Sequence, residues 1–358
     1  MSSWAWLVAM VVVATDLQAR VSGFNLNVNL SRILRGNNDS YYGYSVALWH
    51  DQVKEKSLVV GAPRGRSSKA GNYSLPLGDI YVCKTFSDTC DPLPSLPSLS
   101  YTDRSQEAVW WGATMQNQGI GFGETLYTTG AAQSKLLACA PRYPRKVVSH
   151  DYISLHGRGA CYVLSTKAGE VIKVLPYPGD NFQVGQKTYK NTNALTAFAL
   201  AGSSGVLSQD QHYVYLGGPY AFFGQGILVS MLSSGTKWME TNKATYGAEE
   251  LDFSMEGWAL AVGKFDGARE ALATSLPGAD HSRGAINFVN ARLKPEPGSS
   301  VYGQEMGAQF GYCLAAGDVD GDGVDDLIVG APLAQGRGSQ TPDAGKVYIY
   351  YGPLVKVT

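Results

Sequence analysis

The sequence is poor in charge and favours neither sign. Charged residues make up 16% of the 358 residues, and the formal net charge is -1 at neutral pH. A surface that binds DNA or RNA needs clustered Lys and Arg to neutralise phosphates. The composition therefore argues against a nucleic-acid-binding protein.

Catalytic motifs are also missing. None of the five histidines belongs to an HExxH pair or a similar metal-ligand spacing. The chain contains neither a Gly-x-Ser-x-Gly nucleophile motif nor a phosphate-binding loop. The repeats described below use nearly all of the length, which leaves no room for a separate catalytic domain. We therefore expect a protein that is not an enzyme.

Long hydrophobic runs are absent as well, since no stretch approaches the roughly 20 apolar residues of a membrane span. The apolar run over residues 4–14 has the length of a signal-peptide core, and small residues precede Phe24. We predict a signal peptide over residues 1–23. No Lys or Arg precedes Trp4, and a buried N-terminal strand is the alternative. In an exported chain, three sequons would accept glycans: Asn29, Asn38 and Asn72.

Cysteine is scarce, with five residues in the chain. Two local bridges, Cys83–Cys90 and Cys139–Cys161, are the simplest pairing in an oxidising compartment. Cys313 is left over inside an apolar strand pattern. We predict that it is a buried free thiol, and a reactive cysteine is the alternative.

Glycine and tyrosine, by contrast, are abundant, with 42 and 21 residues. One block recurs five times in the same order. It has an aromatic–glycine pair, an alternating strand, an apolar strand that ends in Gly-Ala-Pro or a relative, and a third strand with glycine at its start. The copies occupy residues of about 36–85, 115–166, 194–232, 246–293 and 305–353.

Each block predicts a small antiparallel sheet. The proline ends its strand because it cannot donate to a central ladder. Such a sheet buries both faces only if sheets stack radially. The predicted fold class is therefore all-β, a β-propeller over residues 24–358. A β-sandwich is the alternative, but five copies in one internal order disfavour it.

A carboxylate loop in the fifth repeat predicts a Ca²⁺ site. Carboxylates at loop positions one, three, five and nine and a backbone carbonyl at position seven can converge on one hard cation. An EF-hand is excluded because position twelve is Val329 and the flanks are strand-like. An acidic turn without metal is the alternative. The predicted ligands are Asp318, Asp320, Asp322, Val324 and Asp326.

The fourth repeat carries a degenerate copy of this loop over residues 264–270. Lys264 takes the place of the first ligand and Ala268 that of the third carboxylate. We predict that no ion binds there. The Lys264 ammonium is expected to take over part of the cation's role beside Asp266 or Glu270.

Together, these repeats, the carboxylate loop before residues 327–332 and the stretch Phe24-Asn25-Leu26-Asn27 resemble the FG-GAP-repeat head of integrin α subunits. The resemblance implies a cell-adhesion receptor at the cell surface. Its Ca²⁺-stabilised propeller would bind an extracellular-matrix ligand together with an integrin β subunit. The paired cysteines are placed like the family's first two head disulfides.

Seven repeats close the ring in that family, so the resemblance implies five of seven blades, an incomplete ring and a truncated chain. The connector after the second repeat has no room for the inserted ligand-binding domain of some members. An open ring would expose apolar blade faces. If the chain ended at Thr358 it would be secreted, and a secreted adhesive propeller or a decoy is the alternative function.

The resemblance also implies ligand contacts. Residues 217–226 are similar to the aromatic ligand loop of integrins that read Arg-Gly-Asp. Phe222, Phe223 and Gln225 fit its pattern, whereas Gly224 replaces an expected Trp. Asp252 matches the aspartate that receives the ligand arginine as a bidentate pair, and a solvated turn residue is the alternative. A second acidic contact of some members is Tyr189 here.

Aromatic residues near the repeat glycines resemble the ring around the family's central cup, which receives a basic residue of the β subunit. A cation–π contact would be the physical basis of this pairing. Packing between blades is the alternative. The predicted partner-binding residues are Tyr44, Phe198, Trp258 and Tyr312.

Overall fold

The structure is a computed structural model. It describes residues 32–50, 56–65, 78–84, 89–93, 121–148, 153–165, 171–176, 182–184, 187–189, 196–235, 239–243, 246–336 and 343–354. The predicted signal peptide and the sequons at Asn29 and Asn72 lie outside these residues. Asn38 lies in a turn before the first strand.

Five antiparallel sheets are the blades of a β-propeller. Blade 1 contains β1 (Ser45–His50), β2 (Lys56–Ala62), β3 (Asp79–Lys84) and β4 (Cys90–Pro92). Blade 2 contains β5 (Thr125–Tyr127), β6 (Leu136–Ala140), β9 (Ala160–Leu164) and β10 (Val171–Val174). Two hairpins are separate from the blades: β7 (Pro144–Val148) with β8 (Ile153–Gly157), and β11 (Phe182–Val184) with β12 (Lys187–Tyr189).

The other three blades follow in chain order. Blade 3 contains β13 (Ser204–Leu207), β14 (Tyr213–Gly217), β15 (Leu228–Leu232) and β16 (Met239–Thr241). Blade 4 contains β17 (Leu260–Gly263), β18 (Ala271–Leu276), β19 (Ala285–Val289) and β20 (Pro295–Tyr302). Blade 5 contains β21 (Cys313–Gly317), β22 (Asp326–Ala331) and β23 (Lys346–Tyr350).

Helix is limited to single turns in the described part of the chain. These are Ala221–Gly224, Ala279–Ser282 and the 3-10 turn Glu249–Leu251. Nothing among them has the length and hydropathy of a membrane-crossing helix.

A glycine with positive φ opens each blade, and its N–H donates to the carbonyl near the end of the second strand at 3.0–3.1 Å. Glycine adopts this backbone conformation without a steric penalty. The five glycines are Gly43, Gly123, Gly202, Gly257 and Gly311. The third repeat is thus aligned at Gly202, which has no aromatic residue before it.

Consecutive blades approach closely at these glycines. A Cβ at Gly61 of blade 1 would lie 2.0 Å from the carbonyl oxygen of Gly123 in blade 2, and Gly217 meets Gly257 in the same way at 1.9 Å. The hydroxyl of Ser45 also donates to that Gly123 carbonyl at 2.6 Å. Side chains at these positions would force the blades apart.

The hydrophobic core lies between the blades. Between blades 1 and 2 it includes Trp49, Ile80, Phe122 and Tyr162, and the Trp49 indole donates to the Ser134 carbonyl at 2.7 Å. Similar apolar clusters join blade 2 to 3, blade 3 to 4 and blade 4 to 5. This radial packing is the arrangement that the repeats predict.

The first and last blades each turn an apolar face to solvent. On β1, Val46 and Leu48 are exposed, and on β23, Val347 and Ile349 are exposed. The prediction for Cys313 was wrong in one respect. It is a free thiol, but it is exposed, because its side chain lies on the open face of blade 5, where no described blade packs against it.

Both predicted disulfides are present. Cys83 pairs with Cys90 across β3 and β4, and Cys139 pairs with Cys161 across β6 and β9. Each bridge therefore joins neighbouring strands within one blade.

Candidate functional site

The loop between β14 and β15 has an unusual backbone. Phe222 and Phe223 both adopt left-handed conformations, with φ of 53° and 57°. Bulky residues rarely do so because the Cβ meets the backbone carbonyl. The consequence is that the two neighbouring rings point in different directions: Phe222 is fully buried, whereas Phe223 is 64% exposed.

Gln225 is a buried hub and not a surface residue. Its amide nitrogen donates to the Ala248 carbonyl at 2.9 Å and to Asp252 Oδ1 at 2.8 Å. Its amide oxygen accepts the N–H of Gly247 at 2.9 Å. Gln225 has no exposed surface. Its three hydrogen bonds fix the loop over residues 246–252 to the protein interior.

Asp252 lies at the surface, half-buried, with both carboxylate oxygens oriented. Oδ1 accepts from Gln225, and Oδ2 accepts from the Tyr246 hydroxyl at 2.8 Å. This hydrogen bond raises the pKa of Tyr246 to about 12. An aspartate fixed by two donors from its own protein keeps free lone pairs for a ligand.

Exposed aromatic and acidic residues lie near Asp252 in the chain or contact its partner Tyr246. Phe223 contacts Tyr246 edge-on, with ring centroids 5.4 Å apart. Phe253 is 67% exposed, and the carboxylates of Glu249 and Glu250 are exposed nearby in sequence. We call Phe223, Tyr246, Asp252 and Phe253 the Asp252 surface.

A buried ion pair supports this surface from the interior. Lys243 Nζ lies 2.9 Å from Glu256 Oε2, and both side chains are largely buried. Lys243 also donates to the Gln225 backbone carbonyl at 3.2 Å. The ion pair therefore connects blade 3 to the segment that enters blade 4.

The predicted ligand residues are thus divided by the fold. Phe223 and Asp252 are available to a partner, whereas Phe222 and Gln225 lie inside. Tyr189 lies on β12, but its side chain is outside the described part of the chain. The sequence did not single out Tyr246 or Phe253; the position of Phe253 beside Asp252 was the only available signal.

The carboxylate loop of blade 5 brings three acidic groups together. Oxygens of Asp318, Asp320 and Asp326 lie within 4.8 Å of one another. The Asp318 carboxylate accepts backbone N–H groups of Gly321 at 2.6 Å and Gly323 at 2.9 Å. These bonds close the turn and orient the carboxylate.

Asp326 is the buried member of this group. Its oxygens accept the N–H of Gly352 at 2.8 Å and that of Val319 at 2.7 Å. These donors lower the pKa of Asp326. A buried carboxylate that stays ionised is a suitable anchor for a cation.

The donor set fits Ca²⁺. Three carboxylates and the backbone carbonyls of a tight turn are hard oxygen donors, which Ca²⁺ prefers. Asp322 is not one of the three converging groups, and its Oδ1 accepts the N–H of Val324 at 2.8 Å. Asp322 and the Val324 carbonyl remain predicted ligands.

In the degenerate loop of blade 4, the positively charged side chain of Arg269 pairs with Asp266. Asp266 accepts the N–H of Ala268 and of Arg269, and Arg269 Nε lies 3.3 Å from Asp266 Oδ2. Burial raises the pKa of Glu270, and the Lys264 ammonium partly opposes this shift. The guanidinium beside Asp266 is thus that of Arg269, while Lys264 acts on Glu270.

The blade-opening glycines also define a ring of side chains. The residues that follow them are Tyr44, Glu124, Ser203, Trp258 and Tyr312. The sequence assignment of Phe198 to this ring was therefore out of register. Phe198 lies in the turn before Gly202. Its ring is exposed, and its centroid lies 5.9 Å from that of the His156 ring.

The ring members of different blades are close together. The centroids of Trp258 and Tyr312 are 5.3 Å apart. Burial raises the pKa of Tyr44, the Glu124 carboxylate raises it further, and the Arg142 guanidinium partly opposes this shift. Glu124 is paired with Arg142 at 3.2 Å. The residues that follow the five glycines are therefore three aromatic residues, one serine and one carboxylate that is paired with Arg142.

Comparisons with known proteins agree with this architecture. The FG-GAP repeat family matches residues 310–350. Integrin alpha-5 of Xenopus laevis is 26% identical over 92% of this chain and 31% of its own length. Integrin alpha-PS2 of Drosophila melanogaster is 26% identical over 91% of this chain and 25% of its own length. Integrin alpha-3 of Mus musculus is 27% identical over 96% of this chain and 32% of its own length.

Along nearly its whole length, the chain is therefore related to the N-terminal FG-GAP propeller region of integrin α subunits. It spans about a third of the length of the relatives it matches. Those relatives are non-enzymatic receptor subunits, in agreement with the lack of catalytic motifs in the sequence.

Proposed function

We propose that this chain is the ligand-binding head of an integrin-type adhesion receptor. It pairs with an integrin β subunit at the cell surface and binds an extracellular-matrix protein of the Arg-Gly-Asp type. The observation that carries the proposal is the Asp252 carboxylate, held at the surface by Gln225 and Tyr246. The predicted signal peptide and sequons belong to the same exported protein.

The ligand contact is a charge-assisted pair. The planar guanidinium of an arginine matches both oxygens of a carboxylate. Asp252 meets this requirement because its two oxygens already have fixed directions, so little side-chain entropy is lost when the ligand binds. Phe223 lies beside this contact and excludes water from one side.

The β subunit is proposed to contact the central cup. The ring centroids of Trp258 and Tyr312 lie 5.3 Å apart. Tyr44 adds a phenol and Glu124 a carboxylate. A basic side chain placed among these rings would gain cation–π contacts, whereas the Glu124 carboxylate is already paired with Arg142. Phe198, at the edge of blade 3, is retained as a candidate contact.

Calcium has a structural role in this proposal. Bound Ca²⁺ would supply positive charge among Asp318, Asp320 and Asp326, and Asp322 and the Val324 carbonyl would complete the shell. The chain's own part is to fix the turn through the N–H donors of Gly321 and Gly323. Blade 5 would be stabilised, and no chemical step is involved.

Binding of an immobilised Arg-Gly-Asp protein by the purified heterodimer tests the proposal. Asp252→Asn removes the charge but keeps the shape, and we expect at least a tenfold loss of affinity. Glu249→Gln removes an exposed charge that is not held by donors, and we expect less than a twofold change. Wild-type affinity in Asp252→Asn would refute the assignment of this site.

A further inference from the structure

Two exposed aromatic residues, Phe223 and Phe253, lie on segments that are hydrogen-bonded to each other, and Phe253 directly follows Asp252 in the chain. The N–H of Phe253 donates to the Phe223 carbonyl at 3.4 Å, and that of Met255 donates to the Gly224 carbonyl at 2.7 Å. Phe223 belongs to the loop of blade 3 and Phe253 to the entrance of blade 4. The rings are about two-thirds exposed, which is unusual for phenylalanine.

Gly224 and Phe253 fit each other. A Cβ at Gly224 would lie 3.2 Å from both Cα and Cδ1 of Phe253, and Gly224 has a φ of 81°. The Phe253 ring therefore covers the space that a side chain at position 224 would need. Position 224 has no aromatic side chain, and the Phe253 ring, at the entrance of blade 4, supplies aromatic surface there instead.

The backbone of both phenylalanines is left-handed. Phe223 and Phe253 have φ of 57° and 59°, a conformation that is unfavourable for bulky side chains. Such residues persist where the surrounding structure holds them, and the same conformation recurs at Asp280 and His281 in a similar turn of blade 4. Here the strained backbone directs two apolar rings into solvent.

Charge defines the kind of partner. Residues 246–254 contain three carboxylates, Glu249, Glu250 and Asp252, and no Lys, Arg or His. A partner that covers this surface must place positive charge on Asp252, because burial of an unpaired carboxylate is costly. It must also cover two phenylalanine rings, which favours an apolar group beside the positive charge.

We infer that the Asp252 surface selects ligands in which the arginine of Arg-Gly-Asp is directly preceded by an aromatic or large aliphatic residue. This inference rests on the proposed function, in which Asp252 receives the arginine. Glycine follows the arginine in such ligands, so only the preceding position is free to contact Phe223 and Phe253. Phe253 is then a specificity-determining residue.

The test uses the purified heterodimer and two fluorescent probes, the peptides Phe-Arg-Gly-Asp-Gly and Gly-Arg-Gly-Asp-Gly. We expect wild-type receptor to bind the first about five- to tenfold more tightly, which corresponds to about 1.0–1.4 kcal/mol. Phe253→Ser should reduce this preference at least threefold, because it weakens the phenylalanine peptide more than the glycine peptide; an unchanged ratio of the two affinities would overturn the inference. Because Phe253 is exposed, the variant is expected to fold, and its melting temperature checks this.

Three further measurements use Gly224→Ala, its control Tyr41→Ser, and Asp252→Asn, which distinguishes failure of this inference from failure of the proposed function. Gly224→Ala should weaken the preference by displacing the Phe253 ring, while Tyr41→Ser, which removes another exposed left-handed aromatic residue, should not. Asp252→Asn should weaken both peptides equally. If Asp252→Asn weakens both peptides but wild-type receptor shows no preference, the inference is wrong and the proposed function stands. If Asp252→Asn changes neither, both fail.

Discussion

Replacement of Gln225 by leucine tests whether this residue holds the ligand loop or contacts the ligand. The substitution keeps the side-chain size and removes three hydrogen bonds, to Gly247, Ala248 and Asp252. All three partners lie in the loop at residues 246–252. The expected result is a less stable blade 3 with a mobile loop.

The magnitude follows from the bond count. Two neutral hydrogen bonds contribute about 1 kcal/mol each, and the bond to the Asp252 carboxylate about 2 kcal/mol. Leucine recovers about 1 kcal/mol because an apolar group has no desolvation cost in the core. The net loss is about 3 kcal/mol in the free energy of unfolding, or about 4 °C in melting temperature.

Hydrogen–deuterium exchange gives the local readout. In the wild-type protein the Gly247 N–H is bonded to the Gln225 amide oxygen at 2.9 Å, and its exchange should become faster in Gln225→Leu. Affinity for an Arg-Gly-Asp ligand should fall about three- to tenfold, because Asp252 must then be ordered on binding.

Gln225→Glu is the matched control. It keeps an oxygen for the Gly247 N–H but loses the donor to Asp252 and places a second negative charge beside it. Gly247 should stay protected while ligand affinity falls. Unchanged melting temperature and unchanged Gly247 exchange in Gln225→Leu would refute the hub role.

Three other predictions concern the metal loop, the buried ion pair and pH. Asp318→Asn should abolish the rise in melting temperature that added Ca²⁺ produces in wild-type protein; an undiminished rise would contradict the site. Glu256→Gln should cost about 3–5 kcal/mol in urea unfolding, because the buried Lys243 is left uncompensated, and Lys243→Met in the same chain should recover part of it. Burial raises the pKa of Glu270 above its ordinary value of 4.5, so the folded protein binds more protons and stability falls as pH rises from 4.5 through the raised pKa. Glu270→Gln should flatten that part of the stability profile, and an unaltered profile would contradict the assignment.

The sequence was most informative where a feature was repeated. A blade-opening glycine followed by an apolar strand recurs in the same order in all five repeats, and the five sheets are built on this pair of features. The third repeat departs from the aromatic–glycine pattern. Gly202 follows Ala201 and not an aromatic residue, and the sequence pattern placed the aromatic–glycine pair at Phe198, three residues too early.

Side-chain direction was the part that the sequence did not specify. Phe222 and Gln225 lie in a loop where two successive residues, Phe222 and Phe223, have left-handed backbones, so that one ring is buried and the other exposed. No residue type in this stretch predicts such a backbone. Cys313 was predicted to be buried because its strand is apolar. Its exposure depends on which neighbour covers the face of blade 5, and this is a property of the assembly and not of the strand.

A structure of the heterodimer head with a bound Arg-Gly-Asp peptide tests the central claim most directly. We predict that the ligand guanidinium donates to the Asp252 carboxylate at about 2.7–2.9 Å, with Gln225 still buried beneath it. A guanidinium bound away from Asp252, or a peptide seated on another face of the propeller, would contradict the account.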